Sequence, residues 1–129
     1  MIPVAYQLTV DERPTYVYAK GVGELTAANV VRFLEEAYGA CLKSGRSDLL
    51  LDMQFTGPSL NTTNIYNVLS QRVPDGRNLR KIAYVDSSTA IDPGMSHFAE
   101  TVAVNRGVNV RLFHTVALAE EWLLSEPDR

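Results

Sequence analysis

Two short polar segments cluster side chains able to bind or exchange a group: Asn61-Thr62-Thr63-Asn64 and Asp86-Ser87-Ser88. Each follows an apolar run. The first comes after Leu49-Leu50-Leu51 and Asp52-Met53, the second directly after Ile82-Ala83-Tyr84-Val85. The Thr62 and Thr63 hydroxyls could take a phosphoryl group or hold a ligand. They could also do something plainer. Asn or Thr at a helix start accepts from the free amides of the first turn, which is worth about 0.5–2 kcal/mol. A phosphate there would add roughly −1.5 to −2 charges beside the positive end of the helix dipole. Helix capping, a binding loop and a regulated phosphoacceptor are the three readings, in that order. Asp86-Ser87-Ser88 reads as a polar loop whose hydroxyls could share a ligand with Thr62 or Thr63.

The remaining reactive side chains point away from catalysis. His97 and Glu100 are three apart, close enough to meet on one helix, yet no second pair has metal-ligand spacing. His114 falls at a strand end, where it caps or faces water. A Ser-His-Asp set using His97 and Asp92 stays open by composition, but no Gly-x-Ser-x-Gly pattern marks a nucleophile. Cys41 is the one cysteine, and its place in an apolar helical stripe makes it a small core residue. Gly21-Val22-Gly23 lacks the third glycine of a dinucleotide loop and reads as turning backbone. Tyr6, Tyr16 and Tyr18 form an expected aromatic patch on the first hairpin, as cross-strand packing pairs or as a sticky face for a partner or apolar ligand. No cofactor, no metal and no catalytic set is expected.

The elements that must position these residues are legible from periodicity. Val4, Tyr6, Leu8 and Val10 alternate with polar or small residues, and a β-rich run from Thr15 to Gly21 follows the Asp11–Pro14 turn, so a hairpin is expected. From about Thr26, Val30, Phe33, Leu34, Ala37, Tyr38, Cys41 and Leu42 recur at helical spacing, and Gly45 ends that helix. Leu49-Leu50-Leu51 is continuous, as suits a central strand covered on both faces. Lys81–Val85 is a second such strand, and a helix carrying Ile65, Val68 and Leu69 lies between them. Asp92-Pro93 opens another helix. Val108–Phe113 reads as an edge strand, and Thr115 caps a last helix with Val116, Ala119, Trp122 and Leu123 inside. The expectation is an α/β domain of order ββαβαβαβα, a mixed five-stranded sheet with four helices. Ligand sites in such sheets collect at the carboxyl ends of the parallel strands, here the loops Met53–Asn61 and Asp86–Asp92.

With 129 residues, 46% of them hydrophobic, the chain is expected to form one domain over residues 1–129, burying roughly two-thirds of its unfolded surface. Ser125–Arg129 reads as a frayed tail. The net charge of −3, without a Lys/Arg cluster, argues against nucleic acid. No signal peptide and no apolar span of about 20 residues appears, so a cytoplasmic protein without stable membrane insertion is expected.

The order of elements resembles the STAS fold, in its SpoIIAA-like (STAS/Sec14-like) branch, over about the whole chain. Four features carry the likeness: the opening hairpin, the Leu-rich strand ending in Asp52-Met53, the Arg80–Val85 strand, and Val110–Leu123 with its Glu-Trp-Leu ending. Anti-sigma-factor antagonists of that family carry Asp-Ser-Ser-Gly-Leu at the helix start after the Leu-rich strand, where a partner kinase phosphorylates a serine. The matching stretch is Asn61-Thr62-Thr63-Asn64-Ile65, with Asn for the acid and Asn for the glycine. The resemblance implies a non-enzymatic regulatory or protein-interaction module of a bacterium, phospho-switched at Thr63 or Thr62. The Sec14-like side implies instead a carrier of a small apolar ligand or lipid. Self-association into a homodimer through an exposed strand edge is a third expectation.

Overall fold

A computed structural model describes residues 6–24, 26–56, 79–85, 97, 100–102, 104, 105, 107 and 109–125. Among the described residues five strands form one sheet in the order β1-β2-β3-β4-β5: β1 Tyr6–Glu12, β2 Val17–Glu24, β3 Asp48–Thr56, β4 Lys81–Val85 and β5 Val110–Phe113. β1 and β2 are antiparallel, and every later neighbour is parallel. The sheet is therefore mixed and the chain α/β. Among the described residues helix occurs in three places, not four: α1 Ala27–Lys43, α2 at residues 97, 100–102, 104 and 105, and α3 Val116–Leu124. The segment with Ile65, Val68 and Leu69, expected to be helical, lies outside the described residues.

Helix boundaries follow from local chemistry. Thr26 caps α1 by accepting from the Asn29 amide at 3.1 Å, and Thr115, the expected cap of the last helix, caps α3 by accepting from the Leu118 amide at 3.2 Å. At the other end of α1, Gly45 takes φ +80°. Its amide donates to the Leu42 carbonyl, and the Arg46 amide donates to that of Cys41. That pair of bonds is the left-handed stop a glycine permits.

Each face of the sheet carries its own core. α1 packs Val30, Phe33, Leu34, Ala37, Tyr38 and Cys41 onto Val17, Ala19, Leu49, Leu51, Met53, Phe55 and Ile82. α3 packs Ala119, Trp122 and Leu123 onto Leu50, Ala83 and Val85 on the opposite face, joined by Tyr16. The leucine triplet is thus divided by the period of two, with Leu49 and Leu51 on one face and Leu50 on the other. Leu42, expected in the inner stripe of α1, is exposed at 46%.

Three expectations need correction. β3 does not end at Asp52-Met53 but continues to Thr56, because Met53 and Phe55 extend the apolar face under α1 and pair in register with Gly21 and Gly23. The expected loop Met53–Asn61 therefore begins as strand. The hairpin turn sits later than Asp11–Pro14, closing where the Arg13 amide donates to the Tyr16 carbonyl at 2.8 Å. The tyrosines form no single patch. Tyr6 packs edge-on against Phe33 and Phe55 on the α1 face, whereas Tyr16 and Tyr18 belong to the α3 face. Register decides this, since Tyr6 opposes Gly23 and Tyr18 opposes Asp11.

Gly21 lies within β2 rather than in a turn. Phe33 and Phe55 meet edge to face at a centroid distance of 5.6 Å, and both rings lie against the Gly21 backbone. A Cβ there would stand 2.8 Å from Phe33 Cδ1 and 2.9 Å from Phe55 Cζ. Gly21→Ala is accordingly expected to lower the unfolding free energy by about 1–3 kcal/mol, the usual cost of overpacking. Urea denaturation checks it, and an unchanged midpoint would contradict this packing.

Candidate functional site

All the residues singled out for function in the sequence (Asn61, Thr62, Thr63, Asn64, Asp86, Ser87 and Ser88) lie outside the described residues. What the structure places is the framework from which those segments start. β3 and β4 are adjacent and parallel, and Asp52 is level with Val85, the last residue of β4. β3 then runs on to Thr56. The stretches beginning after Thr56 and after Val85 thus leave neighbouring strands at the same end of the sheet.

Just below that end, on the α3 face, sits a polar group that sequence reasoning missed. Asp52 is 1% exposed. It accepts from the Tyr18 hydroxyl on β2 and from Gln54 Nε2 at 3.2 Å, two residues along its own strand. Both donors are neutral. Lys20 stands level with Asp52 on β2, but among the described residues no ion pair joins them. The signal was available: Asp48, Leu50, Asp52 and Gln54 share one face of β3, opposite Leu49, Leu51, Met53 and Phe55. Reading Asp52 as a strand terminus hid that alternation.

Burial, and next the hydrogen bond to Asp52, push the Tyr18 phenol well above its ordinary value near 10. Tyr16, bonded to Glu120 of α3, is pushed up to about 12, again by burial first and Glu120 second, with Arg13 opposing. Tyr6, bonded to Glu36 of α1, is raised for the same two reasons. Each of these phenols is a committed donor that fastens the β1–β2 hairpin to another element. None is poised to give up its proton near neutral pH.

Other buried polar groups are partnered in the same way. Asp48, at the start of β3, receives a fork from Arg80: Nε to Oδ1 at 3.0 Å and Nη2 to Oδ2. Lys81 is 1% exposed. Its ammonium donates to the Trp122 carbonyl at 2.9 Å and to the Ser125 carbonyl and hydroxyl at 3.3 and 3.2 Å. A cation at the last carbonyls of α3 also meets the negative end of its dipole. Ser125 is thereby tied down rather than frayed; residues 126–129 lie outside the described part.

Neither histidine builds a site with these groups. His97 Nδ1 lies 3.8 Å from Glu100 Oε1, so the pair does meet, while His114 is exposed after β5. Among the described residues no three His, Cys, Asp or Glu side chains converge as metal ligands. Cys41 is fully buried, and its thiol is pushed up to about 11 by burial first and Asp48 second, against Arg46. A thiol so held is a poor nucleophile. No helix among the described residues is long and apolar enough to cross a membrane. No protein-family model matches the chain, and no curated protein matches it in sequence.

Tyr18 and Asp52 make a prediction whose sign is fixed. Tyr18→Phe leaves the buried carboxylate with one donor fewer and should cost about 1–3 kcal/mol near neutral pH. Because the folded chain holds the Tyr18 proton more tightly than the unfolded chain, this stabilisation is complete below the unfolded value near 10 and is lost as pH rises above it. Urea unfolding at about pH 7 and about pH 11 should show the gap between wild type and Tyr18→Phe narrowing at the higher pH. A gap of equal size at both would contradict the assigned bond.

Proposed function

We propose that this chain is a non-enzymatic, STAS-like module of bacterial regulation that docks a protein partner at the carboxyl ends of β3 and β4. The observation that carries this reading is the adjacency and common direction of those two strands, which start the Asn61–Asn64 and Asp86–Ser88 segments from one end of the sheet. Contact surfaces in open sheets gather at such ends. The mixed sheet led by an antiparallel hairpin agrees with the order of elements on which the family resemblance rests.

In this mechanism Thr63 and Thr62 supply the switch. A phosphate on either hydroxyl would change the local charge by roughly −1.5 to −2, enough to repel an acidic partner surface or recruit a basic one. The partner in the regulated state includes the kinase that places the phosphate. Asn61, Asn64, Asp86, Ser87 and Ser88 complete the contact surface.

A photo-cross-linking residue at position 64 tests the reading in living cells. One defined protein adduct is expected, and Thr63→Asp should weaken it at least several-fold, in keeping with the usual cost of a misplaced interfacial charge. Absence of any protein adduct, with native mass spectrometry of the purified protein showing a bound apolar molecule, would overturn it in favour of the small-ligand or lipid carrier.

A further inference from the structure

We propose that Glu100 is an edge guard: its carboxylate fills a strand-pairing position on β5 and so prevents a second copy of this chain from adding to the sheet there. Among the described residues β5 is the last strand in the sheet, so one of its sides has no described strand beside it. In a parallel pair, alternate residues direct their backbone groups towards the neighbour. The Ile82 amide donates to the Asn109 carbonyl at 2.9 Å, which assigns Asn109, Arg111 and Phe113 to β4 and turns Val110 and Leu112 outward.

Leu112 is where the guard acts. Its amide donates to Glu100 Oε2 at 2.6 Å, a short charge-assisted bond. The Glu100 side chain is 24% exposed, and its other oxygen faces His97 Nδ1 at 3.8 Å. A carboxylate from α2 thus stands where the carbonyl of an added strand would have to sit. The sequence Val-Arg-Leu-Phe is otherwise a β-prone edge of the kind that recruits strands.

A second copy is the occupant that the guard excludes, because an edge of this kind is its own complement. Two β5 strands set antiparallel about a twofold axis offer each other the same outward groups of Val110 and Leu112. Pairing must first break the Glu100–Leu112 bond in both copies. This inference is independent of the loops after β3 and β4.

Sedimentation velocity and amide hydrogen exchange on the full chain test it together. Wild type and Glu100→Gln, which keeps a carbonyl oxygen at the same reach, should remain monomeric. Glu100→Ala should dimerise at a concentration at least about tenfold lower, given the strength of charge-assisted bonds, with new protection at Val110 and Leu112 and none at residues 6–12. If Glu100→Ala does not fold, Glu100→Asp, one methylene too short, is read in the same way. A variant as monomeric as wild type, a dimer protected at residues 6–12 instead, or a wild type already paired through β5 would each overturn the guard.

Discussion

A strand buried on both faces must be covered twice, and β3 imposes that requirement on the rest of this molecule. Leu49, Leu51, Met53 and Phe55 need α1, and Leu50 needs α3; all five are at most 6% exposed. Fully burying a side chain of this kind is worth about 1.5–3 kcal/mol, so neither helix can leave without exposing part of the central strand. The two cores are separated only by the sheet itself. β3 also fixes the neighbours: β2 must be parallel and slim enough at Gly21 to admit Phe33 and Phe55, and β4 must carry Ile82 to one face and Ala83 and Val85 to the other.

Three buried charged groups, Asp48, Asp52 and Lys81, each tie β3 or β4 to a different element. Asp52 is held by Tyr18 of β2, Asp48 by Arg80 at the start of β4, and Lys81 closes onto the end of α3. Burying charge is costly, and such groups seldom add net stability over well-packed apolar ones. Their effect here is on register. A slip of β2 by one residue would move Tyr18 to the α1 face, leaving Asp52 with Gln54 alone. The pairing of β3 with β4 sets Asp52 level with Val85 and so determines where the chain leaves each strand. Fold specificity and site position depend on one set of contacts.

Much of this was readable from periodicity. The split of the leucine triplet, the stripes of α1 and α3, the start of α1 at Thr26, the cap Thr115, the stop at Gly45 and the edge position of β5 all follow from local pattern. What escaped was chemistry that needs a third dimension. A charged residue after three leucines looks like an exit from the strand, whereas a hydroxyl donor on β2, 34 residues earlier in the chain, makes the burial of Asp52 tolerable. Lys81 gave no local sign of burial, since its acceptors are carbonyls 41 and 44 residues away. Gly21 looked like a turn because glycine serves both turning and close approach, and only the ring contacts distinguish them. The three hairpin tyrosines looked like one patch until the register separated them. For the Asn61–Asn64 and Asp86–Ser88 segments the sequence supplied residue types and spacing, and the fold supplies the shared sheet end at which β3 and β4 stop.

The central claim is that β3 is the doubly covered strand around which both cores form. Native-state amide hydrogen exchange tests it most directly. The amides of Leu49, Leu50 and Leu51 should exchange only through global unfolding, with a denaturant dependence equal to that of the whole domain, and more slowly than those of β1 or β5. Exchange of the Leu50 amide by a local opening, at a rate matching the edge strands, would contradict the account.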